Sequence, residues 1–129
     1  KTPQEQALLR DQLAPQREVG QAEAIWGAAH SFLTEKATAL WISACNLGSV
    51  TVSERIGLRL ASTHAIRQAA LVADLAYYIC GATSIFESHP IHRKFQDAHA
   101  VTQQIQGRME HYETAGQLAL GLEPQGRLF

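Results

Sequence analysis

Residues 51–81, TVSERIGLRLASTHAIRQAALVADLAYYICG, decide the fold. Thr51-Val52-Ser53-Glu54 has the form of a capping box: a hydroxyl that closes free N–H groups of a first helical turn, and a glutamate three residues on that reaches back. After it, Leu58, Ser62, Ala65, Ala69, Val72, Ala76 and Ile79 alternate steps of four and three. That spacing predicts a long helix with a seam of small residues that a neighbouring helix can approach closely. From Ala69 to Cys80 the helix is apolar on every side except at Asp74, the pattern of an element buried between layers or in a subunit interface. A carboxylate in that setting needs a partner. Arg67, two turns earlier on nearly the same face, is one candidate; a neighbouring helix is the other source. Gly81 predicts a left-handed stop.

Both flanks also read as helical. Upstream, Val19, Ala22, Trp26, Ala29 and Leu33 keep the same steps, and Ala37, Leu40, Ala44 and Leu47 resume them after one skip. They predict a helix from Gln16 to a stop at Asn46-Leu47-Gly48, about 45 Å long at 1.5 Å per residue. Thr2-Pro3-Gln4-Glu5 predicts a short helix running to about Leu13, with Pro15 as the break. Downstream, Ser84 to Pro90 makes an irregular connection. Ile91 to Gln106 is the next bundle helix, and Arg108 to Leu120 continues after Gly107 as the last. No period-two alternation or hairpin dipeptide occurs. The fold expected is therefore all-α, an up-and-down helical bundle formed by residues 1–129 as a single domain.

Charge and composition narrow the classes of function. Acids and bases are mixed along the chain with a net charge of -1, which leaves no basic footprint for nucleic acid. No run approaches the ~18 apolar residues of a membrane span, and no leader segment is visible, so a cytoplasmic protein with neither membrane nor nucleic-acid partners is expected. A chain of 129 residues is expected to bury a core without disulfides or metals. Cys45 and Cys80 fall in apolar helical runs and read as two inert buried thiols, with one disulfide between them conceivable.

Four of the six histidines lie between Ser84 and Pro124. No Glu is followed by His three residues later, so a di-iron bundle fails. Glu87, His89 and His92 sketch a zinc site only weakly, interrupted by Pro90, and no metal is expected. His89, His92 and His111 read as surface residues. On the helix from Ile91, the residues His92, Phe95, His99, Thr102 or Gln103, and Gln106 share one face. Arg93, Asp97, Ala100 and Gln104 share another, and His99 and Gln104 point about 140° apart. Arg93 and Asp97, one turn apart, are expected to pair. A face of His and Gln suits hydrogen bonding to heteroatoms of a planar ligand, since both offer donors and acceptors without fixed charge. A polar face met by solvent or by another subunit is the plain alternative.

The pattern Gly81-Ala82, Ser84-Ile85-Phe86, Pro90, Arg93, Phe95, Asp97-Ala98-His99-Ala100, Gln103 and a closing Gly121-Leu122 and Pro124 resembles the C-terminal helical domain of the acyl-CoA dehydrogenase superfamily. It is most similar to the type-2 branch, the two-component flavin-dependent monooxygenases that hydroxylate hydroxyphenylacetate, hydroxysteroids and dibenzothiophene. The resemblance covers nearly the whole chain. It implies the last part of a longer flavoenzyme, inactive alone, whose bundles form a homotetramer core. It also implies a flavin (FAD or FMN) delivered reduced by a separate reductase, and an oxygen atom inserted into an aromatic or heteroatom substrate. Flavin contacts are implied at Gly81, Ala82, Ser84, Arg93 and Gln103.

Three positions depart from that pattern. The family histidine seven residues after the Asp is Gln104, and Gln96 replaces the family arginine. Where the dehydrogenase branch has its basic Glu before a glycine, Gln106 precedes Gly107. An amide hydrogen-bonds but does not carry protons. Gln104 and His99 are the candidate catalytic residues, with proton transfer falling to His99 or to a residue elsewhere in the longer chain. An acyl-CoA dehydrogenase or oxidase acting on CH–CH bonds of a thioester, with its base elsewhere, and a non-catalytic oligomerisation bundle are the alternatives.

Overall fold

The structure, a computed structural model, describes residues 8–125. Among them are four α-helices and no strand: α1 Leu13–Leu47, α2 Val52–Cys80, α3 Pro90–Val101 and α4 Glu110–Ala119. The all-α bundle is as expected. Long α1 and α2 form a hairpin, and the shorter α3 and α4 pack on α2, which is the central element. No described helix is long and apolar enough to cross a membrane.

The ends of the hairpin follow local chemistry. Gly48 adopts the left-handed conformation (φ 66, ψ 7) and returns its N–H to the Ala44 carbonyl, which only glycine does without a Cβ penalty. Thr51 and Glu54 form the full capping box: the Glu54 N–H donates to Thr51 Oγ1 at 3.1 Å, and the Thr51 N–H donates to Glu54 Oε2 at 2.8 Å. The Ser43 hydroxyl donates to the other carboxylate oxygen, so the cap also ties α1 to α2. These bonds, Ser43 foremost, hold the Glu54 carboxyl below its ordinary value. Thr51→Ala is expected to cost about 1 kcal/mol, read as a lower urea midpoint at unchanged m-value.

Several boundaries depart from expectation. The start at Thr2 lies outside the described residues; within them only Leu9–Asp11 forms a single 3₁₀ turn before α1. Pro15 does not break the chain, because α1 begins at Leu13 and the first-turn N–H that proline lacks would have no intrahelical acceptor. Gly81 has positive φ (57) but an extended ψ (-142), so it stops α2 without being left-handed helical. A 3₁₀ turn, Gly81–Ile85, follows. Helix α3 ends at Val101 rather than Gln106, and Ile105–Gly107 is a separate 3₁₀ turn.

Packing of α2 uses the side of its small-residue seam, where Ala61 is fully buried, and a second stripe as well. Its buried residues are Ile56, Ala61, Thr63 and Ala70, and Ile56, Thr63 and Ala70 repeat every seven residues on nearly the opposite side from Leu58, Ala65 and Val72. Thr63 and the flanking Arg59, Arg67 and Asp74 make this stripe polar, so apolar periodicity did not mark it. The core is small. Among the described residues the buried hydrophobics are Ala29, Ile56, Ala61 and Ala70, and no large apolar side chain is fully enclosed. The core that the chain buries without a disulfide is thus modest, and Trp41, Leu47 and Leu120 are 69%, 74% and 77% exposed. Both cysteines are free, and Cys45 is exposed rather than buried.

Candidate active site

An open cleft of about 540 Å³ lies where α3 and α4 meet α2. Helix α2 supplies its floor with Arg67, Ala70, Leu71 and Asp74, which share a face at i, i+3, i+4 and i+7. His99 and Thr102 wall one side, and Met109 and Tyr112 the other. His99 Nε2–H donates to Asp74 Oδ1 at 2.7 Å, so the partner of Asp74 comes from the neighbouring helix and not from Arg67. This bond places a proton on Nε2, so Nδ1 is the ring nitrogen through which a proton would be exchanged with a ligand. The ring is held further by Phe95 (centroids 4.6 Å apart), itself 4.4 Å from Tyr77. An imidazole backed by a carboxylate can take a proton on Nδ1, the resulting cation being stabilised by the negative charge behind it.

The turn after α3 is clamped by α2. Arg67 Nε and Nη2 both donate to the Gly107 carbonyl, at 3.1 and 2.7 Å. The Thr63 hydroxyl donates to the Gln106 carbonyl at 2.6 Å. With its single proton so used, Thr63 accepts from His111 Nδ1–H at 2.7 Å, and His111 Nε2 accepts from Arg59 Nη1 at 3.3 Å. Nearer the helix, the Thr102 hydroxyl and N–H both donate to the His99 carbonyl, at 2.6 and 3.1 Å, and the Gln103 and Gln104 N–H groups reach back only three residues, so the chain leaves α-helical pairing after Val101. His111, expected to be solvated, is 7% exposed.

Burial first, then the Arg59 guanidinium and Arg108, hold His111 below the ordinary histidine value of 6.5; the Gln106 backbone and Glu110 oppose them. The unfolded chain thus takes up this proton at a higher pH than the folded chain. Stability is full above about pH 6.5 and falls as pH drops toward the lower folded value. Urea midpoints measured from about pH 7 to pH 5 should show this decline, flattened in His111→Gln.

The other sequence candidates lie elsewhere. Gln103 and Gln104 are exposed, in the turn beyond α3; Gln103 Nε2 donates to Thr102 Oγ1, and Gln104 lies on no helix shared with His99. Arg93 is exposed on α3 and pairs with Asp97 at 3.6 Å, an interaction worth only a few tenths of a kcal/mol. Gly81 and Ala82 are exposed at the end of α2, and a Cβ at Gly81 would meet nothing within 4 Å. Ser84 is buried, its hydroxyl donating to the Gly81 carbonyl at 2.6 Å. His89 caps α3 by accepting from the Ile91 N–H. His92 Nδ1–H donates to the Ser84 carbonyl, and its Nε2 accepts from Gln96.

Residues 2–107 match the sequence model described as "Acyl-CoA dehydrogenase, C-terminal domain". The chain belongs to this family. It is 35% identical over 116 residues to an indole-3-acetate monooxygenase of Pseudomonas putida, covering 90% of this chain and 30% of that protein. It is 30% identical over 109 residues to an indole-3-acetate monooxygenase of Acinetobacter baumannii, covering 84% of this chain and 28% of that one. The chain thus spans less than a third of the length of these curated relatives.

Within the family framework, the cleft adds residues the motif did not bring forward: Asp74 as the partner of His99, Arg67 on the turn, and Met109 and Tyr112 opposite. Two charges seven residues apart, Asp74 inside an apolar run and Arg67 just before it, were the available signal for the α2 pair. Nothing in the periodicity marked Met109 or Tyr112.

Proposed function

We propose that the chain is the C-terminal helical part, residues 1–129, of a longer homotetrameric flavin-dependent monooxygenase that inserts an oxygen atom from dioxygen into an aromatic substrate. The observation that carries this reading is the alignment of 90% and 84% of the chain with two proteins named indole-3-acetate monooxygenase. The neighbouring alternative, dehydrogenation of a thioester, would need a base elsewhere in the longer chain, since Gln106 stands before Gly107.

Flavin (FAD or FMN), delivered reduced by a separate reductase, supplies the oxygen-activating chemistry when bound. The exposed groups suit contact with such a cofactor. Gly81 and Ala82 leave open backbone beside the α2 end, Arg93 offers a cation to phosphate, and Gln103 and Gln104 offer amide donors and acceptors. Arg93 lies eight residues, about 12 Å, before the end of α3 at Val101, and the Gln103-Gln104 turn lies beyond that end, so they would contact different parts of the cofactor. Ser84 would act through its hold on Gly81. His99, backed by Asp74, is the group placed to move a proton. The exposed Trp41, Leu47 and Leu120 support an assembly in which other subunits or further domains cover them.

The full chain is expected to bind reduced flavin, elute as a tetramer, and incorporate one atom of labelled dioxygen into indole-3-acetate. Tight flavin binding with acyl thioester oxidation and no label would establish the dehydrogenase reading instead. Absence of flavin binding would leave a structural bundle.

A further inference from the structure

Resting on the aromatic-substrate reading, we infer that the α2–α3–α4 cleft is a binding site for an aromatic monocarboxylate carrying a ring N–H or hydroxyl, its carboxylate at Arg67 and its ring donor at Asp74. The two ends of the cleft floor differ in charge. Arg67 has five N–H donors; two hold the Gly107 carbonyl, leaving the others for an anion. About 10 Å further along α2, at seven residues, Asp74 uses one carboxylate oxygen toward His99, and its second oxygen can accept from a ligand. A carboxylate there would meet a like charge, so the ligand's anionic end goes to Arg67 and its donor end to Asp74. Between the two ends the surface is apolar: Ala70 and Leu71 below, Met109 at the side. A flat hydrocarbon ring fits that surface better than a sugar or a peptide. The volume of about 540 Å³ is in the range of small-molecule sites, roughly 300–1,000 Å³. In this pose the ring lies beside His99, the one imidazole of the cleft.

Binding of indole-3-acetate to the full chain, followed by calorimetry without flavin, tests this site separately from the oxygenation chemistry. Indole-3-acetamide, which lacks the charge, and 1-methylindole-3-acetate, which lacks the ring N–H, should each bind about tenfold more weakly or worse. Leu71→Trp, at a half-exposed position, fills the cleft without disturbing the core and should weaken binding at least about tenfold, with melting unchanged. Arg67→Met should do the same; because Arg67 also holds Gly107, Leu71→Trp decides if that variant unfolds. Undiminished binding by Leu71→Trp, equal binding of acid and amide, or no binding of the acid by the full chain would overturn the site. If labelled oxygen is still incorporated in those cases, the monooxygenase reading stands and only the cleft assignment fails. If the acid binds at the cleft but flavin does not bind at all, the cleft stands and the monooxygenase reading falls.

Discussion

On the proposed function, His99→Gln lowers the oxygenation rate of the full chain by about a hundredfold or more, the lower range of what a positioned acid–base group contributes. The geometry gives the reason. His99 Nε2–H is committed to Asp74 at 2.7 Å, so Nδ1 is the working nitrogen, and the Phe95 ring restricts how the imidazole can turn. Glutamine keeps hydrogen-bonding capacity at this position and removes proton transfer, so the comparison separates chemistry from packing. Gln104→Ala is the companion measurement: exposed and off the helix, it should change the rate only slightly. Rates are measured at saturating reduced flavin, with flavin affinity recorded for each variant. A large loss in Gln104→Ala beside a mild one in His99→Gln would move the catalytic assignment to the turn.

Gly107→Ala is expected to destabilise the fold by about 2–3 kcal/mol, as overpacking does. A Cβ there would lie 2.8 Å from the Thr102 carbonyl oxygen and 3.2 Å from Ile66 Cγ2. The first neighbour is backbone, and the Gly107 carbonyl is itself held by Arg67, so neither side can yield cheaply. Gly57 provides the opposite case. In the interior of α2, its Cβ would meet only Lys36 Cδ at 3.7 Å, ordinary contact, and alanine gains helix propensity and reduces unfolded-chain entropy. Gly57→Ala should therefore stabilise by about 0.5–1 kcal/mol. Chemical denaturation of the two variants side by side should give shifts of opposite sign; a neutral Gly107→Ala would mean that the turn is not tightly packed against α3.

These effects depend on features of very different legibility. The capping box at Thr51, the glycine stop at Gly48 and the Arg93–Asp97 pair span three or four residues, and each was visible because the groups that interact are adjacent along the chain. The family motif around Asp97-Ala98-His99 was visible for the same reason, and the all-α fold was legible separately, in the 3- and 4-residue apolar steps. The end of α3 was not, because helix propensity continues through Gln103 and Gln104, whereas the Thr102 hydroxyl takes the His99 carbonyl and the turn beyond is held from α2.

By itself, then, the sequence determined the helical elements, the caps at Gly48 and Thr51 and the family. Only the tertiary structure decided that Asp74 meets His99 across 25 residues, that Arg67 and Thr63 hold the Gly107 and Gln106 carbonyls across 40 and 43, and that His111 is buried against Thr63 across 48. These contacts are polar, and polar residues look alike in a sequence whether they face water or a partner. Periodicity records which side of a helix avoids water, whereas the identity of a hydrogen-bonding partner emerges only when separate helices are brought together.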